Sequence, residues 1–328
     1  MPPTLDPDVV DAEVEAARSE ARHGRPAEAV ARYRSLLARL PSSGDGAELG
    51  VRRARALIGL AAAEYELSGD LSGAKATLRD AERIAVDAAA VDLVAPIHGQ
   101  LALLLLRAGR EGEALRAFDR AAEQVHAARD RDQVSLLLNR GVTHMERGSL
   151  DVARADLERC ATVAEAAGDR EGELRARHNL GYAEFLAGRI PRALATMDRA
   201  EALNTGAPHP IGLLDRARVL REAGLSADAD RLLSQAVDLF ASGGLHQDLA
   251  EAQLTQSECA LVEGDAARAL TLARAAERTF ARRDNTRWRR KAQLLVLQCE
   301  RRRVRPGGRA ALRRLAARAG ALAADCRA

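Results

Sequence analysis

Seven glycines set the frame of this chain. Gly24, Gly69, Gly109, Gly148, Gly188, Gly224 and Gly264 follow one another at spacings of 36 to 45 residues. Five positions after each stands an alanine: Ala29, Ala74, Ala114, Ala153, Ala193, Ala229 and Ala269. Seven positions before each stands a small residue: Ala17, Ala62, Ala102, Gly141, Gly181, Ala217 and Ser257. Four positions after each alanine come Tyr33, Leu78, Phe118, Leu157, Met197, Leu233 and Ala273. A pattern kept through seven units means a repeat architecture, in which one supersecondary unit is stacked many times.

Helix-period apolar spacing on both sides of each glycine reads as a pair of helices, A and B. The glycine closes helix A in a left-handed conformation. Pro26 and Pro191 suit the first turn of helix B, and Asp70, Ser149, Ser226 and Asp265 read as its caps. The small residue on helix A and the alanine on helix B let two antiparallel helices approach closely. The larger residue one turn along fills the space beside that contact. Composition agrees, since aromatics are only 2% of residues. The apolar content is mostly Ala and Leu, which favour helix, and few runs suit a sheet. The spacing predicts a single all-α solenoid over residues 1–328. Its repeats fall at 8–41, 51–90, 92–129, 131–169, 171–204, 210–243 and 247–284, with a degenerate eighth at 286–327 turning at Pro306-Gly307-Gly308. Residues 42–49 and 204–210 read as loops.

This pattern resembles the tetratricopeptide repeat over nearly the whole chain, which implies a right-handed α-solenoid. The departures are specific. The usual helix A Trp is absent, only Tyr65 falls at the usual Tyr position, and only the first repeat has a closing proline, Pro41. Repeats near 40 residues exceed the common length of about 34. Residues 178–203, 212–233 and 269–295 are similar to the repeat region of actinobacterial CHAT-domain proteins, in which such an array precedes a caspase-like peptidase. That resemblance implies a regulatory or sensor arm of a protease in bacterial signalling or defence. The alternative is a stand-alone peptide receptor or scaffold. The peptidase His and Cys motifs do not occur in this sequence. The apolar ending ALAADCRA favours a fragment of a longer protein, because solenoids need a polar terminal cap.

One column on helix A is polar. Two residues before the small residue stand Gln100, Asn139, Asn179, Asp215 and Thr255. The resemblance implies that such positions line a concave surface, where evenly spaced amides match an extended peptide. Arg175, His178, Tyr182, Phe185 and Arg218 are expected around them. The competing reading is that these groups bond to neighbouring helices.

Charge is uneven. Residues 281–328 hold 15 Lys/Arg against 3 Asp/Glu, while the remainder holds 35 against 44. Arg282, Arg283, Arg287, Arg289, Arg290, Arg301, Arg302 and Arg303 form a candidate docking patch for an acidic partner or domain. Trp288 is the sole aromatic in that segment, so a nucleic-acid stacking platform is not expected.

Nothing else points to chemistry. Cys160, Cys259, Cys299 and Cys326 lie far apart without metal or disulfide spacing. Cys160 occupies a small-residue slot, which reads as packing. His178 has no second ligand at i+3 or i+4. The acidic N-terminus lacks an apolar signal core, and the longest aliphatic run, residues 101–106, is far shorter than a membrane span. The expectation is a cytoplasmic protein that binds a protein or peptide, without catalytic residues, metal or cofactor.

Overall fold

The computed structural model describes residues 6–40, 47–206, 208–283, 285–305 and 307–325. Pro41, residues 42–46, Pro306 and Cys326 lie outside the described residues. Sixteen α-helices are present among the described residues, and no strand. They are α1 (Pro7–Arg22), α2 (Pro26–Arg39), α3 (Ala47–Ser68), α4 (Leu71–Asp87), α5 (Val94–Arg107), α6 (Glu111–Glu123), α7 (Asp130–Glu146) and α8 (Leu150–Ala166). There follow α9 (Arg170–Leu186), α10 (Ile190–Leu203), α11 (Pro210–Glu222), α12 (Ser226–Ser242), α13 (His246–Val262), α14 (Ala266–Arg282), α15 (Thr286–Arg302) and α16 (Arg309–Asp325). The chain divides into two compact units, Met1–Ala176 and Arg177–Ala328, and the division falls within α9. One expectation fails at once: α3 begins at Ala47, so residues 47–49 are helical and not loop.

All seven frame glycines have positive φ, from +70° at Gly69 to +88° at Gly264. An L side chain is disfavoured there, so glycine ends helix A at least cost. In six of the seven the next N–H reaches back to the helix end, as in Arg110 N to Leu105 O at 2.8 Å and Asp265 N to Ala260 O at 2.9 Å. This closure satisfies carbonyls that would otherwise be orphaned. Ala89 performs a similar left-handed turn after α4, at φ +51°, without being glycine. The caps are mixed. Asp70 accepts from the Ser72 and Gly73 amides, and Asp265 accepts from Arg268 N. Ser149 makes no side-chain cap bond, and Ser226 is the first residue of α12, buried with its hydroxyl unpartnered. The two serines therefore do not cap as expected: Ser226 sits one position too far into its helix, and Ser149 stands at the N-cap without making the bond.

The helix A–helix B contact follows the frame. All seven helix B alanines are at most 1% exposed, and Phe118, Leu157 and Leu233 beside them are fully buried. A Cβ added at Gly141 would lie 2.9 Å from Leu157 Cγ, and one at Gly181 would lie 2.6 Å from Met197 Cγ and 3.1 Å from the Ala193 carbonyl. Ser257 is fully buried and donates its hydroxyl to the Ala269 carbonyl at 2.7 Å. The second pair departs from the frame. Ala61, not Ala62, is fully buried there. There α3 also runs to Ser68, immediately before Gly69, whereas α5 and α7 stop two residues before their glycines. The eighth pair is degenerate, since α16 has no buried residue.

Gly181→Leu is expected to destabilise the protein by about 1–3 kcal/mol through overpacking. Removing a mid-helix glycine returns at most about 1 kcal/mol, so the net effect is a loss. Gly112→Ala is the control, because only the end of Arg116 approaches that site, at 4.0 Å. Urea midpoints check this: Gly181→Leu should fall and Gly112→Ala should not. Equal midpoints would mean that Gly181 is not at a tight helix contact.

Candidate functional site

In the first unit the helix A elements each turn one face to a common cavity of about 580 Å³. Gln100 of α5, Asn139 of α7 and Arg175 of α9 all line it. So do Pro96 and Ser135, each one turn before the amide on its helix, which places both on the same face. Helix B elements contribute only Tyr33 and Phe118. Glycines shape the wall. A Cβ at Gly59 would overlap the Tyr33 hydroxyl, and one at Gly99 would meet Leu136 Cδ1 at 3.2 Å. Tyr33 in turn is buried, with its hydroxyl 3.5 Å from the Val14 carbonyl.

The wall is charged as well as polar. Arg18, Arg55 and Arg131 line it beside Asp132, Asp169 and Glu171. The Arg55 side chain is 10% exposed. It is held by Asp92 and, at 3.5 Å, by Asp132, and its Nε is buried without a partner. Burial, then the charge of Arg129, pushes its pKa below the usual arginine value despite those carboxylates. Arg131 donates to Glu15 at 2.8 and 3.2 Å. Asn139 Nδ2 donates to the Ser135 carbonyl of its own helix at 2.8 Å.

His178, Tyr182, Phe185, Asp215 and Arg218 belong to the second unit and form a separate cluster there. His178 Nε2 lies 3.3 Å from Asp215 Oδ2. Arg218 donates to Asp215 at 3.1 Å and to Glu251 at 2.8 Å. Burial opposes the charge of Arg218, yet Asp215, Tyr182 and Glu251 outweigh it and raise its pKa. Tyr182 and Phe185 pack at 5.5 Å between ring centroids, against Ala193, Met197 and Val219. Burial, then the charge of Asp215, raises the Tyr182 pKa. Asn179 is partly buried on α9. Thr255 is 5% exposed and donates to the Glu251 carbonyl of its own helix at 3.0 Å. In this unit Asp215 and Arg218 bond to neighbouring helices, and Thr255 bonds to its own.

The basic segment is more open. Arg282, Arg283, Arg287, Arg289, Arg301, Arg302 and Arg303 are exposed, whereas Arg290 is half-buried and pairs with Asp325 at 3.0 Å. Trp288 stacks on Phe280 with centroids 5.6 Å apart and carries Lys291 Nζ 4.8 Å above its ring. That aromatic face is therefore taken up within the fold.

Cys160, Cys259 and Cys299 are buried free thiols. Burial pushes Cys160 up to about 12 and Cys259 up to about 11, and raises Cys299. Such thiols stay protonated near neutral pH and are poor nucleophiles. Among the described residues no three His, Cys, Asp or Glu side chains group as a metal site, and no helix is long and apolar enough to cross a membrane.

Sequence reasoning missed Arg18, Arg55, Arg131 and Asp132 on the cavity wall. Ser135 was within reach of it. A second column, six residues before the small residue, holds Pro96, Ser135 and Arg175. The four charged residues stand at four different places in the repeat, so no single column gathers them, although Arg18 shares its place, one after the small residue, with Tyr182 and Arg218.

His98 and His144 carry a pH prediction. Both ring nitrogens of His144 and Nδ1 of His98 are buried without partners. Burial lowers both pKa values, with Arg140 and Arg147 adding to it at His144 and Asp119 opposing. A folded-state pKa below the unfolded one gives stability that is complete above the unfolded value of about 6.5 and is lost as pH falls below it. The urea midpoint should therefore fall between pH 7.5 and 5.5, and His98→Gln with His144→Gln should flatten that fall. An unchanged slope in the double variant contradicts the assignment.

Comparison with known proteins bears on the fold. The tetratricopeptide repeat family model matches residues 132–205. No curated protein matches the sequence. The apo form of RapI superposes with a TM-score of 0.69 at 10% identity, over 94% of this chain and 85% of that one. A Rap protein complexed with competence and sporulation factor gives 0.62 at 10% identity, over 90% and 86%. The apo quorum sensor NprR from B. thuringiensis gives 0.63 at 11% identity, over 91% and 83%. Residues 132–205 thus match the tetratricopeptide repeat, and the fold class is the all-α solenoid of helix pairs that such repeats build.

Proposed function

We propose that this chain binds a polypeptide segment in the cavity of its first unit, and that it acts as a binding module and not as an enzyme. The observation that carries this reading is the convergence of Gln100, Asn139 and Arg175, from three helix A elements, on one cavity of about 580 Å³. Amides presented from successive repeats suit the repeating N–H and C=O groups of an extended chain. The cavity is also roomy enough for side chains, being within the usual range of about 300–1,000 Å³ for ligand sites. Two structurally similar proteins add support, one solved in complex with competence and sporulation factor and one described as a quorum sensor. The buried, protonated thiols fit a chain without a cysteine nucleophile.

The test is a random peptide library displayed on phage, panned on the purified chain, with the recovered peptide measured by fluorescence anisotropy. Each lost amide hydrogen bond is worth about 0.5–1.5 kcal/mol. Gln100→Ala with Asn139→Ala should therefore weaken binding about tenfold, with an unchanged urea midpoint. Binding as tight as wild type would place the site elsewhere. Loss of binding on charge reversal of Arg282, Arg283, Arg287 and Arg289 instead would make the basic segment the site.

The similarity of residues 178–203, 212–233 and 269–295 to CHAT-protein repeats supports a finer reading: binding regulates a caspase-like protease of bacterial signalling or defence. Sequencing the gene beyond codon 328 tests it. A following domain with paired His and Cys motifs is the expected result. A stop codon there, with no such protease co-purifying, favours the stand-alone receptor.

A further inference from the structure

Two arginines on the cavity wall, Arg18 of α1 and Arg131 of α7, share one carboxylate. It belongs to Glu15, also on α1. Arg131 grips it with both guanidinium nitrogens, Nη1 to Oε2 at 2.8 Å and Nη2 to Oε1 at 3.2 Å, and Arg18 Nη1 stands 3.5 Å from Oε2. This is the forked geometry with which a guanidinium recognises any carboxylate. The bridge joins helices 116 residues apart in sequence.

We propose that Glu15 holds the place of a ligand carboxylate, so that the cavity selects a polypeptide carrying one acidic side chain, which displaces Glu15 from Arg131 and Arg18. The inference rests on the reading that the cavity takes a polypeptide. Three observations support it. The Glu15 and Arg131 side chains are 45% and 52% exposed, and exposed pairs are held weakly, so exchanging one carboxylate for another is cheap. Arg55 is no competitor, because Asp92 and Asp132 already hold it. Asp169 and Glu171 on the same wall disfavour further acidic side chains.

The probes are two phage libraries of random peptides, identical but for a fixed central Glu or Gln, panned on the full chain and two variants. Glu15→Gln removes the internal carboxylate. Glu13→Gln removes the same charge two residues away on α1, from a residue paired with Arg39, which does not line the cavity. Wild type should retain the Glu library over the Gln library. Glu15→Gln should raise that retention by about threefold, because an occluded fraction of sites is released, and Glu13→Gln should leave it unchanged. Acidic peptides held by the basic segment are blind to Glu15, so they do not mimic this shift. Equal retention of the two libraries on wild type, or equal shifts in both variants, overturns the carboxylate exchange while leaving polypeptide binding intact. Retention of neither library on any form overturns the binding reading and the exchange with it.

Discussion

The close approach of helix A to helix B is the constraint on which the rest depends. At Gly141 and Gly181 the facing Leu157 and Met197 occupy the space where a side chain would stand. That contact can form only if helix A ends on time, and the left-handed glycine provides the ending. Each pair then presents its remaining helix A surface in the same sense as its neighbours within a unit. The cavity of the first unit is a consequence: α1, α3, α5, α7 and the start of α9 supply nearly all of its wall.

Much of this was legible because it is periodic. The glycine, the alanine and the small residue report a local geometry, and local geometry repeats. The helix ends at Arg107, Glu146 and Leu186 follow directly. Where the sequence misled, one local event had intervened. The α3 helix runs one residue further, and Ala61 is fully buried there in place of Ala62. Ser226 lies inside its helix and cannot cap it. Ala89 takes a left-handed turn that no glycine announces.

The proposed binding surface was legible only in part. Gln100, Asn139 and Arg175 lie at repeated positions and do meet in one cavity. The same column in the second unit is spent differently at Asp215, which is held by His178 and Arg218. A column of polar residues records a shared direction on the helix, not a shared fate, because the neighbours decide whether each group is satisfied internally. The charged residues that give the first cavity its character, Arg18, Arg55 and Arg131, come from non-equivalent positions. Their convergence depends on the stacking of whole repeats, which no single repeat encodes.

Hydrogen exchange with and without a peptide recovered by panning tests the central claim most directly. The account predicts slowed exchange in the helix A segments 94–107 and 130–146, which carry Gln100 and Asn139. Helix B segments 111–123 and 150–166 should change little. Protection confined to the helix B segments, or to residues 282–305, would contradict the account.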